Sequence, residues 1–355
     1  MARITIKDVA KASGFSVCTV NKALTGKHWV SEGTRKRIID VAQQMGYTPN
    51  RLAQSLARHA LTIAVVYPTF WGHWFEPLVA GARQRLDALH DHNVTAKYYP
   101  IHGTPFQHNL DEVLTQIAHD ALDGVVICMG AFDVEFVQDQ QHRLSDLAIP
   151  VVLLGGAHPG IPHLAHVRAD ARRSGEMAAE LLYIMTGGQP IAILHGKHAI
   201  LDHEEKVDGV RAVADREQFP LVGAFETLSD PEIAYHMTRR LFEENTTTIG
   251  GIYIAVDNAA PGVCRFLQEA GLAGKVHVVA TGVFSEIRDW MASGFIQMTL
   301  YQNMVEQGRM AVSTLYRYLT DQVTPPMEVL IPPQIAVRSN IDLLVNEQDV
   351  QPVGS

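Results

Sequence analysis

The sequence predicts a multidomain fold: an all-α, helix-turn-helix amino-terminal unit followed by a two-lobed α/β core with parallel sheets. Three observations predict it. The first sixty residues hold three short helical periodicities and a basic surplus. From residue 61 short apolar runs alternate with helical stretches, and this alternation divides near residues 160–168 at a segment rich in Pro, Gly and His. A chain of 355 residues suits about two or three domains of roughly 100–200 residues each. The organisation expected is residues 1–48 as the helical unit, 49–60 as a hinge or linker, 61–341 as the core and 342–355 as a tail. Within the core the lobes are expected at 61–165 plus 294–323 and at 166–293 plus 324–341.

Ile6, Val9 and Ala10 fall at helical spacing in IKDVAKAS, predicting a helix near 6–13, and Gly14 permits a tight turn after it. Ser16 is placed to cap a second short helix, VCTVNKAL, with Val17, Val20 and Leu24 along one side. Ser31 caps a third, in which Ile38, Val41, Ala42 and Met45 recur at i, i+3, i+4 and i+7 before Gly46. Two helices joined by a Gly turn among basic residues form the geometry that lays a recognition helix in the DNA major groove. On the second helix, Cys18, Asn21 and Lys22 are not needed for the core, nor is Val17 at its edge. Lys22 can donate to guanine O6 or N7, and Val17 can pack on a thymine methyl. Ser16 and Thr19 suit phosphate contacts, which fix register; Thr5, ahead of the first helix, completes the candidate DNA-binding set. A three-helix cap that only solubilises the chain is the bland alternative.

Charge divides in the same place. Residues 1–60 carry ten Lys and Arg against three Asp and Glu, whereas the rest carries 19 against 35, for a whole-chain net charge of -9. A basic arm on an acidic body suits a protein that meets phosphates with one end only.

The segment ITIKDVAKASGFSVCTVNKALTGKHWVSEGTRKRIIDVAQQMGYTPNRLAQSLA resembles the DNA-binding headpiece of the LacI/GalR repressors along its whole length. The matching features are the TIKDVA opening, the GxS turn, the TV pair, the VSxxTR segment and the GYxPN exit. The resemblance implies that Val17, Cys18 and Lys22 stand at base-reading positions. Asn21 replaces the family's usual serine and Lys22 its arginine; Lys lacks the bidentate fork of Arg. It also implies that NRLAQSLARHA is a hinge helix formed on the operator, with Leu56 wedging a base step and Asn50, Ala53 and Gln54 lining the minor groove. Read from the residue alone, Leu56 is as well an ordinary buried leucine.

In the core, the runs TIAVVY, AKYYPI, GVVIC and VVLLG, then PIAIL, PLVGAF, GIYIA and VHVVA, are read as two groups of four strands. The arrangement resembles the type I periplasmic sugar-binding fold, the family's effector domain. In such sheets ligands bind beyond the carboxyl ends of strands. Trp71, Trp74 and Phe75 cluster on the segment after the first strand and either stack on a sugar or cap the core. Asp170 either accepts ligand hydroxyls or caps the helix expected at 171–186. The resemblance places Lys206, three residues before a Gly, as a basic ligand contact with Asp202 and His203 beside it, Asp257 as the acidic residue at a strand end, and Gln302 on the return crossover. Together these make a set able to bind hydroxyls bidentately. VVATGVF stands where the family's GYDD-like turn is customary, which points to a ligand other than the common hexoses.

No GxSxG elbow, P-loop, HExxH or CxxC motif occurs. His158, His163 and His166 lie in the connector without a carboxylate or Cys set, and Cys18, Cys128 and Cys264 are far apart. No enzyme activity, metal or cofactor is expected. Nor is a signal peptide or membrane span, which leaves a cytoplasmic protein. The expected partners are palindromic double-stranded operator DNA, a carbohydrate effector and a second copy in a homodimer, the tail being too short for a tetramer seam. Two rivals remain: a cytoplasmic sugar-binding protein without a DNA role, and a sugar-processing enzyme.

Overall fold

The computed structural model describes residues 4–24, 30–47, 59–70, 72–102, 106–129, 144–156, 161–198, 200–244 and 248–348. Three helices, α1 (Ile6–Ser13), α2 (Val17–Leu24) and α3 (Glu32–Gln44), form the first unit. Side chains serve the backbone N–H groups at each helix start. Asp8 Oδ2 accepts from the Thr5 N–H at 2.8 Å, Ser16 Oγ from the Thr19 N–H at 3.1 Å and Ser31 Oγ from the Thr34 N–H at 3.4 Å. Gly14, at φ +78°, makes the left-handed turn between α1 and α2. Val9, Ala10, Val20, Ala23, Ile38 and Ala42 close one small core. Val17 is not part of it: Val20 and Ala23, three apart, share the inward face, and Val17 is 42% exposed.

The core holds two six-stranded sheets. The first contains β1 (Leu61–Pro68), β2 (Val94–Ile101), β3 (Gly124–Cys128), β4 (Val151–Leu154), β5 (Ala165–Ala169) and β11 (Glu328–Ile331). Its strands are parallel, in the order β11-β5-β4-β3-β1-β2. The second contains β6 (Ile191–His195), β7 (Leu221–Glu226), β8 (Gly251–Ile254), β9 (His277–Thr281), β10 (Met298–Tyr301) and β12 (Gln334–Ala336). Its order is β12-β10-β9-β8-β6-β7, with β12 antiparallel to β10. Helices cover both faces, so strands read as unbroken apolar runs; Ile63 and Val65 enter one cluster of the first lobe while Ala64 and Val66 enter the other.

The eight expected strands are present, and four more join them. The segment near 160–168 is expected as a connector because it is rich in Pro, Gly and His, yet residues 165–169 form β5, with His166 and Arg168 buried within it. β10, β11 and β12 have four, four and three residues, too few for a periodic signal. The three crossings between lobes fall a few residues later than the boundaries expected. They follow β5, β10 and β11, so that the chain re-enters the first lobe after β10, adds β11 to the first sheet and ends in the second lobe with β12. The expected tail begins instead with α12 (Ile341–Gln348), whose Ile341 and Leu344 pack on the second lobe.

Each sheet is covered by a closely packed pair of helices. α4 (Gly72–Asp87) packs on α11 (Met304–Asp321) over the first sheet, and α6 (Ala171–Thr186) packs on α7 (Leu201–Glu217) over the second. α6 and α7 meet backbone to backbone: a Cβ on Gly175 would stand 1.9 Å from the Lys206 carbonyl oxygen, and one on Gly209 2.2 Å from that of Arg172. That approach sets the height of Lys206 above the second sheet.

Candidate functional site

A cavity of about 340 Å³ opens between the lobes at the carboxyl ends of the strands. The first lobe lends Trp74 from the first turn of α4, Gly156 after β4 and Met304 at the start of α11. From the second lobe come Lys197 and Ile200 after β6, Asp202, His203 and Lys206 on α7, and Leu228 and Ser229 after β7. Asp257 and Asn258 follow β8, Thr281 and Gly282 close β9, and Gln302 follows β10. The parallel strands explain this gathering, since all but β12 end at the same edge.

Lys206 is 4% exposed, and its Nζ donates to the Ala255 carbonyl at 2.9 Å. Burial drives its pKa down, while Asp202 and Asp257 oppose that shift. His203 is pulled to about 3, first by burial and then by the neighbouring Lys206 charge. A neutral imidazole facing the Lys197 carbonyl through Nδ1, at 3.0 Å, carries its proton there and leaves Nε2 as an acceptor. Thr281 Oγ1 is held 3.1 Å from the Tyr253 hydroxyl. Two buried groups, the Gln302 Oε1 and the Trp74 Nε1–H, have no hydrogen-bond partner among the described residues. Orphaned buried polar atoms are costly, so an acceptor and a donor here suit a polar ligand. Carboxylates, a cation, amides and an indole face together can bind hydroxyls and the C–H face of a ring.

Of the residues expected at the effector site, the cavity brings together Trp74, His203, Lys206, Asp257 and Gln302. Two are placed elsewhere. Phe75 is 1% exposed and packs edge-on to Phe70, at 6.0 Å between centroids, inside the first lobe, because the helix that directs Trp74 outward turns its neighbour inward. Asp170 caps α6, its Oδ1 accepting from the Arg173 N–H at 2.9 Å, and is not among the cavity residues. Trp71 and His158 lie outside the described residues. Lys197, Ile200, Leu228, Ser229, Thr281 and Met304 were not anticipated; of these, Lys197, Leu228, Ser229 and Thr281 lie within four residues of the end of an apolar run, which is the signal that could have marked them.

On the amino-terminal unit, Ser16, Val17, Cys18, Asn21 and Lys22 are exposed and Thr19 half-buried, forming one face of α2. Thr5 is also exposed, its hydroxyl donating to Asp8, which holds the Asp8 carboxyl below its ordinary range. Ser16 and Thr19 hydroxyls lie 2.8 Å apart. Asn50, Ala53, Gln54 and Leu56 lie outside the described residues.

Residues 63–322 match the periplasmic binding protein domain, and residues 5–50 match the bacterial regulatory proteins of the lacI family. The chain belongs to the lacI family of regulators. Its core is the periplasmic binding protein domain, and its headpiece makes it a DNA-binding transcriptional regulator. Among relatives of this lacI-family chain is catabolite control protein A of Staphylococcus epidermidis, 22% identical over 344 residues, with 94% of this chain and 98% of the relative covered. Similar solved structures include a transcriptional regulator CelR–cellobiose complex, with a TM-score of 0.62, 20% identity and coverage of 94% and 99%. Another is GanP, a glucose-galactose binding protein from Geobacillus stearothermophilus, with a TM-score of 0.68, 19% identity and coverage of 80% and 99%. At these identities the structures establish the fold.

Proposed function

We propose that this regulator represses transcription as a homodimer on a palindromic operator, and that a sugar, polyol or sugar acid in the interlobe cavity controls its affinity for DNA. The observation that carries the ligand reading is the meeting of Lys206, Asp202, Asp257 and the unpartnered Gln302 Oε1 opposite the Trp74 indole. The relatives support the reading, since one solved neighbour is a regulator with cellobiose and another a sugar-binding protein. Control follows if the ligand prefers one lobe arrangement, because differential affinity for two states is what shifts an equilibrium. Two-fold symmetry of the protein would match two-fold symmetry of the operator. We read the cavity as binding rather than turning over its ligand, and place the protein in the cytoplasm with its DNA.

The test is a thermal-shift series on the full chain with D-glucose, D-galactose, myo-inositol, cellobiose, gluconate and glucose 6-phosphate. At least one is expected to raise the melting temperature. Asp257→Ala is expected to abolish that rise while binding operator duplex as the parent does. A flat series, or a variant that responds like the parent, overturns the reading, and conversion of the ligand would make the protein an enzyme.

A further inference from the structure

Arg168 lies at the seam between the lobes and is not among the cavity-lining residues. It is the fourth residue of β5, in the first sheet, and is 4% exposed. A buried guanidinium requires opposite charge and acceptors for five N–H groups. It has both. Nε and Nη2 donate to Glu328 Oε1 at 3.1 and 3.0 Å. Nη1 and Nη2 donate to the two oxygens of Glu205 at 2.6 and 2.9 Å, and Nη1 also donates to Asp202 Oδ1 at 3.3 Å. Burial works against the charge, but these carboxylates outweigh it and hold the group's pKa above the ordinary arginine value.

The three carboxylates come from different bodies. Glu328 opens β11 and shares the first sheet with Arg168. Asp202 and Glu205 stand on the first turns of α7, in the second lobe. The fork on Glu205 is directional, because two parallel N–H···O bonds hold a plane as well as a distance. α7 is also the helix that carries His203 and Lys206 into the cavity. Asp202 belongs to both systems: it accepts from Arg168, it lines the cavity, and its charge supports that of Lys206.

We infer that Arg168 is a positioning residue that latches the lobes together. From the first sheet it fixes the cavity-bearing helix of the second, through carboxylates of which one, Asp202, also faces the ligand space. This goes beyond the proposed regulation and stands whether or not the ligand is a sugar. It predicts that the interlobe angle, and not merely the stability, depends on this side chain.

The experiment is a spin-label distance measurement by double electron–electron resonance on the full, ligand-free chain. The labels sit at Gln116→Cys and Gln268→Cys, on exposed helix positions of the two lobes, in a Cys18→Ser background; Cys128 and Cys264 are buried. With the doubly labelled chain diluted into an excess of unlabelled chain, so that distances between protomers do not contribute, the parent is expected to give one narrow distribution. Arg168→Met is expected to shift its centre by several ångström or roughly to double its width, with Arg168→Lys between the two because an ammonium lacks the fork. Glu205→Gln keeps the shape and removes the charge. It is expected to move the distribution the same way by less, and it serves as the test should the methionine variant fail to fold. If folded Glu205→Gln and Arg168→Met, or the former alone where the latter does not fold, keep the parent distribution, the latch is overturned, even if their melting temperatures fall. A flat sugar series with a moved distribution would reject the sugar and keep the latch.

Discussion

His203 and Lys206 lie less than one turn apart on α7, and the lysine's charge acts on the histidine. His203 stays neutral because burial and Lys206 both disfavour its cation, bringing its pKa to about 3. An unfolded chain accepts the same proton near pH 6.5. The folded value is the lower, so the stability His203 contributes is fully present above about pH 6.5 and is lost as pH falls toward 3. The buried His195 shifts in the same direction, by burial first and then by His198. The melting temperature of the full chain is therefore expected to drop between pH 7 and pH 4, and His203→Asn is expected to flatten part of that drop. Calorimetry across the range checks this; an unaltered slope in the variant would count against a neutral His203.

Among the elements, the α6–α7 crossing carries the most consequence for the cavity. Gly209 lies where a side chain would meet backbone, which a flexible neighbour cannot relieve by rotating away. Gly209→Ala is expected to cost about 1–3 kcal/mol, the usual range for forcing extra atoms into a packed site. Urea unfolding reads that cost, and a midpoint equal to the parent's would mean the helices separate freely. The same substitution is expected to weaken the thermal shift given by any sugar that stabilises the parent, because Lys206 rides on the displaced helix. Gly209 could be seen in the sequence only as the third residue after a lysine. The reason for the spacing is the close approach, which involves residues of another helix.

Over the whole molecule, charge separates one function from the other. Ten basic residues against three acidic ones occupy the first sixty positions of a chain whose net charge is -9. Operator affinity is expected to fall steeply with salt, by about 0.9 in log affinity per log salt for each phosphate neutralised. Lys22→Ala, on the exposed face of α2, is expected to cost operator affinity about 1–3 kcal/mol while changing non-specific binding less. Titrations of operator and random duplex measure the two losses; equal losses would leave Lys22 a phosphate contact.

Much of this architecture was legible because its causes are local. Helical spacing, the Gly14 turn and caps at Ser16 and Ser31 act within a few residues, so α1, α2 and α3 could be drawn from the sequence alone. Continuous apolar runs likewise marked eight of the strands, and their parallel arrangement placed the ligand space at their carboxyl ends. What remained was decided by contacts between distant segments. Sequence could not choose between Trp74 and Phe75, nor separate Asp170 as a cap from Asp257 beside the cavity, since each pair has like chemistry and similar context. It also hid β5, whose His166 and Arg168 look like surface residues until Glu205 and Glu328 arrive from other elements to satisfy the arginine. Burial of a charge is permitted only once its partners are in place, and only the assembled chain supplies them.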